Sequence, residues 1–215
     1  MHEQQVRPYS QYLLVKEGKP YWRLAALTEE AFCHILQPIM RKDSLFLEQK
    51  GYEVGVGKFS ILKKDSFQGL EERFWTGTDK VHHIDMEFLT SASFKKNGEY
   101  MIFPELPLVF NNLIRKWNVY SDSMVLGEER LGDRLAESMC ITDYRLHTHS
   151  FSVEGRRIRA FRGSIRLGLF KDDITRRMAS MLAAFADYAG IGIKTAMGMG
   201  AVHSDIAYYQ KKERL

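Results

Sequence analysis

The segment from Gly190 to Gly200, Gly-Ile-Gly-Ile-Lys-Thr-Ala-Met-Gly-Met-Gly, places four glycines in eleven residues between a helical pattern and a strand-like one. Glycine at that density marks backbone that turns sharply or approaches something closely. Upstream, Ile174, Met178, Met181, Leu182 and Phe185 recur at helical spacing and predict an amphipathic helix from Asp173 to Ala189. Downstream, Ala201 to Tyr209 reads as a strand. That order excludes the two familiar phosphate loops, because the dinucleotide fingerprint and the P-loop both run from strand through glycines into a helix. Lys194-Thr195 also lacks the glycine that a P-loop sets immediately before its lysine. What remains is a loop with one cation, Lys194, and main-chain N–H groups that can meet an anion such as a phosphate backbone. A plain helix C-cap followed by a tight turn is the competing reading.

The rest of the second half has the spacing of a complete unit. Val81 to Ser93 reads as a strand, Lys95-Lys96-Asn97-Gly98 as a turn, and Pro104 and Pro107 open a helix containing Val109, Phe110, Leu113, Ile114 and Trp117. Ile141 to Phe151 and Arg157 to Phe170 read as two strands around the tip Val153-Glu154-Gly155-Arg156. Strand, helix, strand, strand, helix, strand is the ferredoxin-like βαββαβ pattern. The first half begins with a hairpin, Tyr9 to Val15 and Tyr21 to Leu27 around Lys16-Glu17-Gly18-Lys19-Pro20. Thr28 then heads a helix with a stripe of Phe32, Ile35, Leu36 and Ile39, and Leu45 to Leu62 returns to strand composition. These are the last four elements of the same unit, as though an opening strand and helix had been removed before Met1. A preceding segment, or a strand lent by a partner in a homodimer, would complete it. The expected fold is therefore α+β, two tandem ferredoxin-like domains at 1–78 and 79–215, the first without its opening strand and helix.

Net charge is +4 and the pI is near 9.0, which permits nucleic acid as a partner. Distribution matters more than the total: from Arg145 to Arg166 there are six arginines against one acid, Glu154. Cys33 and Cys140 belong to no paired motif, so a reducing cytoplasm fits better than an oxidising compartment. No apolar leader or membrane-length stretch is present in the sequence.

Three stretches together resemble one family: His2-Glu3 followed by Arg7-Pro8-Tyr9-Ser10; Phe88-Leu89-Thr90-Ser91-Ala92-Ser93-Phe94-Lys95 running on to Leu113-Ile114-Arg115-Lys116-Trp117; and the glycine-rich segment. On these the chain resembles the CRISPR-associated endoribonucleases that process precursor CRISPR RNA, within the repeat-associated mysterious protein superfamily of tandem ferredoxin-like folds. The resemblance implies cleavage of repeat RNA without a metal or other cofactor. The 2′-hydroxyl before the scissile phosphate attacks in line, leaving a cyclic phosphate and a 5′-hydroxyl. Such a reaction needs a base, an acid and a cation for the phosphorane charge. The family's proton-transferring histidine falls on His2, whose ordinary titration range suits both proton roles. Relatives often place a lysine a few residues on; Arg7 is the nearest match and suits charge stabilisation, not proton donation. The tyrosine that some relatives carry in their first helix has no counterpart.

For RNA binding the resemblance implicates Gly190, Gly192, Lys194, Thr195, Gly198 and Gly200 of the loop and Arg156, Arg157 and Arg159 of the projecting hairpin. Arginine forks suit phosphates and guanine edges, and phosphate is favoured because an A-form major groove is too narrow for most side chains. Lys95, Lys96, Arg115 and Lys116 form a second basic group whose alternative is an ordinary solvated face. Implied partners are precursor and mature CRISPR RNA and subunits of a CRISPR effector complex. The alternative is a non-catalytic RNA-binding subunit of such a complex. Seven histidines invite a metal hypothesis, but His147 with His149 and the adjacent His82-His83 lack a third ligand, and strand surface explains them better. His203 can face the RNA groove or fill space, and His34 falls off its helix's apolar stripe.

Overall fold

The computed structural model describes residues 6–153 and 155–209. The chain opens with the hairpin β1 (Tyr9–Lys16) and β2 (Lys19–Ala26). Glu17 and Gly18, at φ 51° and 74°, form a two-residue turn of the kind that matches strand twist, and Lys16 pairs with Lys19. Thr28 caps the helix that follows, its hydroxyl accepting from the N–H of Ala31 at 3.1 Å. That helix runs through α1 (Glu29–Ala31), a π-helical turn at Phe32–Leu36, and α2 (Gln37–Met40) without a break. Pro38 has no N–H to return to the preceding turn, and the turn widens so that the N–H of Gln37 closes on the carbonyl of Phe32.

The strand expected over Leu45 to Leu62 is instead two short ones, β3 (Ser44–Leu47) and β4 (Tyr52–Gly55), followed by residues without regular structure to Ser66. Gly51, at φ 70°, lets the chain reverse where continuous strand was expected. A further helix, α3 (Phe67–Thr76), was not foreseen. Ser66 caps it, and Leu70 and Phe74 enter the main core. Arg177 binds its other end, donating to the carbonyls of Phe74, Trp75 and Gly77 at 2.7, 3.0 and 2.6 Å.

The second half follows the expected order: β5 (Val81–Ala92), the small hairpin β6 (Lys95–Lys96) and β7 (Glu99–Tyr100), α4 (Leu106–Tyr120), α5 (Leu131–Ala136), β8 (Met139–Val153), β9 (Arg156–Leu169), α6 (Asp173–Ala189) and β10 (Val202–Tyr208). Its sheet is antiparallel with order β10-β5-β9-β8, the βαββαβ arrangement with a hairpin and a short helix inserted. The inner faces of β5 and β9, with α4 and α6, bury Ile84, Met86, Phe88, Phe110, Trp117, Phe161, Ile165 and Phe185 in one core. Of the stripe predicted for α6, Met181, Leu182 and Phe185 are buried, but Ile174 in the first turn is 62% exposed. Helix α6 approaches the core only after that turn.

Two devices project the β8–β9 hairpin beyond the sheet. A bulge interrupts the pairing of β5 with β9 between Phe88 and Ala92, and Gly163 takes φ 128°, where an added Cβ would lie 1.9 Å from the carbonyl oxygen of Arg145. From Arg156 to Ala160, β9 pairs with β8 alone. Cys33 and Cys140 are free and exposed, and among the described residues no helix is long and apolar enough to cross a membrane.

Candidate nucleic-acid interface

The end of α6 and the glycine loop are packed against the fold, not hung from it. Gly190, Ile191, Gly192, Thr195, Met199 and Gly200 are buried. Their N–H groups turn inward: Gly190 donates to Ala186, Ile191 to Gly200 and Gly200 to the carbonyl of Ser91, each at 2.8 Å, and Ile193 donates to that of Ser93 at 3.0 Å. Gly192 donates to the side-chain oxygen of Asn112 at 2.9 Å, and Ala201 to the hydroxyl of Thr90 at 3.0 Å. The expectation that the amides of Gly190, Gly192 and Gly200 face an anion is corrected by these bonds, which the loop needs because it lies against the end of β5. The glycines answer to space: a Cβ at Gly192 would sit 2.3 Å from the carbonyl oxygen of Ser93, and one at Gly200 1.9 Å from that of Ile191. Lys194, at φ 55°, leads into a single 3-10 turn, Thr195–Met197.

The described parts of the three stretches that carry the family resemblance meet at this loop and the end of α6 that leads into it. Ser91 and Ser93 accept its amides, as above. From the second part of that stretch, Lys116 reaches its base: the ammonium donates to the carbonyls of Ala189 and Gly190 at 3.0 and 2.9 Å and lies 3.5 Å from the Thr195 hydroxyl. The start of β1 completes the group, with the Ser10 hydroxyl donating to the carbonyl of Tyr188 at 2.5 Å and the Gln11 amide to that of Ala196 at 2.6 Å. His2 and Glu3 lie outside the described residues. Arg7 is exposed, and the neighbouring carbonyl of Val6 accepts from the Tyr120 hydroxyl. Burial, with the charge of Arg7 opposing it, raises the Tyr120 pKa.

The predicted basic residues gather around a small second core. Ile158, Ala160 and Met199 are its buried members, flanked by Tyr100, Phe151, Val153 and Ile193, so the arm, the β6–β7 hairpin and the loop share one apolar contact. Around it Arg156, Arg157, Arg159, Lys95 and Lys96 are exposed, Lys194 is half-buried, and Gly198 lies near Phe151. Arg159 pairs with Glu99 at 3.3 Å and Lys96 with Glu105 at 2.6 Å, exposed pairs that a competing phosphate can displace at small cost. Arg115 is exposed on α4. Lys116 is not: it is 4% exposed, and its expected place in a solvated or RNA-facing basic group is corrected. The signal was present in the sequence, because Lys116 falls in register with Val109, Leu113 and Tyr120 on the inward stripe of α4.

The histidines divide. The Nδ1 of His149 is 2.6 Å from the Ser91 hydroxyl, which ties the arm to the strand under the loop. His203 does not stand alone: its Nδ1 is 3.1 Å from Asp187, a buried carboxylate that also accepts from Lys63 at 2.6 Å and from the N–H of Ser204 at 2.7 Å. Lys63 thereby joins the irregular segment after β4 to α6. Among the described residues, no group of three or more His, Cys, Asp or Glu is placed to hold a metal ion. The open face of the sheet holds a pocket of about 300 Å³ lined by Asp85, Glu87, Asp143, Arg145, Arg166 and His203, among others. There Arg166 donates to Asp85 at 2.7 and 2.9 Å, and these bonds hold the Asp85 carboxyl below its usual pKa. With four carboxylates, Asp205 being the fourth, it suits a polyanion less well than the β8–β9 hairpin does.

Comparison with known proteins follows the same lines. The profile of the family described as CRISPR-associated endoribonuclease Cas6 matches residues 86–202. The CRISPR-associated endoribonuclease Cas6 of Streptococcus thermophilus is 28% identical over 202 residues, 94% of this chain and 82% of that protein. The protein of the same name from Mycobacterium tuberculosis is 31% identical over 210 residues, 94% of this chain and 64% of its own length. Among solved structures, a Cas6 product complex superposes with TM-score 0.77 at 20% identity, covering 95% of this chain and 84% of that one. Thermus thermophilus Cas6 superposes with TM-score 0.67 at 20% identity, covering 92% and 79%. These likenesses establish the fold as the tandem ferredoxin-like α+β architecture of those structures.

Proposed function

The chain belongs to the CRISPR-associated endoribonuclease Cas6 family, and from that premise we propose that it matures CRISPR RNA by cutting the repeat at one position without a metal. A 2′-hydroxyl gives its proton to a base and attacks the adjacent phosphorus; the 5′-oxygen leaves and takes a proton from an acid. The products are a 2′,3′-cyclic phosphate and a 5′-hydroxyl. His2 is the proton-transfer group of this reading and Arg7 the cation for the phosphorane charge. The division of labour runs between an N-terminal domain, 1–78, that supplies these residues and a C-terminal domain, 79–215, that supplies the RNA grip.

The observation that carries the reading is convergence: the arm with Arg156, Arg157 and Arg159, the hairpin with Lys95 and Lys96, and the loop with Lys194 meet around one apolar cluster within the span matched by the family profile. Lys194 and Gly198 form the loop's outward rim toward RNA, while Gly190, Gly192, Thr195 and Gly200 hold its shape. Arg115 extends the cationic path on α4. β1, which begins two residues after Arg7, lies along the same loop, so RNA seated on the rim passes near the N-terminal end of β1.

The test is incubation of the wild-type protein with its cognate repeat RNA in EDTA, with the new ends identified by mass. A single cut leaving a cyclic phosphate and a 5′-hydroxyl is expected. Cleavage that requires added divalent metal, or leaves a 5′-phosphate, overturns the mechanism. Tight binding without cutting assigns the chain to the non-catalytic RNA-binding class instead.

A further inference from the structure

Lys116 stands among Leu113, Ile114 and Trp117 on the inward side of α4, all of them buried. A charge in such surroundings must find partners or give up its proton. Its ammonium finds them on a different element. Ala189 is the last residue of α6 and Gly190 its cap, the place where helix carbonyls lack partners and the helix dipole is negative. Thr195 lies farther along, at the start of the 3-10 turn next to Lys194. One side chain therefore spans both the departure of the loop from α6 and its outward turn. Asn112, one helical turn earlier on α4, holds Gly192 between those two points.

Resting on the RNA-cleaving reading above, we propose that Lys116 is a positioning residue for RNA binding: from inside the fold its ammonium holds the glycine loop in the shape that meets the RNA backbone, without itself touching RNA. Apolar surroundings lower its pKa from 10.5 to about 7, with the charge of Arg115 contributing in the same direction. The partners it meets on α6 and the loop are carbonyls and a hydroxyl; next to them along the chain stand Asp187 and Tyr188 on α6 and Lys194 in the loop. Burial raises the pKa of Tyr188, so that phenol stays neutral in this range. RNA phosphates arriving on the loop favour the ammonium, so binding takes up a proton there. Affinity then falls as pH rises through the unliganded pKa, because the bound state holds more protons than the free one.

The experiment measures dissociation constants for repeat RNA carrying a 2′-deoxyribose at the mapped cut position, with wild type and Lys116→Met, from about pH 6 to about pH 9. Circular dichroism confirms that the variant is folded. At the acid end the variant binds about tenfold more weakly, the worth of a buried charged hydrogen bond, and the ratio of the two constants shrinks as pH rises past neutrality. A ratio near one at every pH overturns the role of Lys116 and leaves the nuclease reading in place. Failure of wild type to bind the RNA overturns that reading and this role with it. Should the variant not fold, ¹⁵N spectra of the lysine ammonium groups in wild type decide: the Lys116 signal titrates near neutrality and its midpoint moves up when RNA binds. A midpoint at the ordinary lysine value with and without RNA overturns the proposal.

Discussion

The two halves of the molecule use similar elements to different depth. In the second half four strands close over α4 and α6, and Trp117, Phe88, Phe110, Phe161 and Phe185 are fully buried. The strands of the first half form, among the described residues, two separate two-stranded ladders, with Leu13 at 68%, Val15 at 74% and Phe46 at 63% exposure. What little core it has leans on its neighbour: Leu27, Leu70 and Phe74 belong to the large cluster of the second half. The RNA grip proposed here is anchored in the deep core, whereas the proton-transfer group is assigned to the shallow side. Stability and binding should therefore respond to substitutions in the second half, and chemistry to the first.

The sharpest way to break that contrast is Trp117→Ala. The indole meets Phe67 of α3 edge-on at 5.0 Å and Phe185 of α6 at 5.3 Å, and its N–H donates to the carbonyl of Met124 at 2.9 Å. Its loss should cost about 3–5 kcal/mol in denaturant unfolding, and a value under about 1 kcal/mol would show that this core is not where stability resides. Next come two glycines of the same loop. Gly200→Ala drives a Cβ into the Ile191 carbonyl at φ +66°, so the loop must open; on the order of 3 kcal/mol is expected, together with loss of RNA affinity. Gly198→Ala, at φ +98° with its nearest outside atom at 4.0 Å, meets strain alone, about 1 kcal/mol. Equal effects at the two positions would contradict the packed-loop account.

On the surface, the double change Arg156→Ala with Arg157→Ala should leave unfolding within about 0.5 kcal/mol of wild type. It should lower the salt dependence of repeat-RNA binding by about one unit of slope per phosphate contact removed; an unchanged slope places the arm away from the RNA. The smallest effect is expected at Trp22→Ala in the first hairpin. That indole is 42% exposed and donates to Gln11 at 2.8 Å, so about 0.5–1 kcal/mol is the expectation from thermal melts. A loss matching that of Trp117 would mean that the first half is as firmly built as the second.

Local chemistry made part of this legible beforehand. Helix α6 follows from its apolar period, and the second-half order follows from helix and strand periods punctuated by Gly and Pro. Where one position had to be judged against distant partners, the sequence was a poorer guide. Leu45 to Leu62 is apolar enough for one strand, and only the reversal at Gly51 divides it. Helix α3 carries just Phe67, Leu70 and Phe74 on its inner side, too few to announce a helix without the core they meet. Arg115 and Lys116 look like one basic pair, yet successive helical residues point about 100° apart, and that rotation sends one outward and the other under the glycine loop. The grouping of Arg156, Lys95 and Lys194 depends on contacts between residues far apart in the chain, which no local pattern reports.

Single-turnover cleavage of repeat RNA by His2→Ala, with its dissociation constant measured beside that of wild type, tests the central claim most directly. The account predicts affinity within about twofold of wild type and a rate lower by about a hundredfold to ten-thousandfold. Cutting by His2→Ala at the wild-type rate would contradict it.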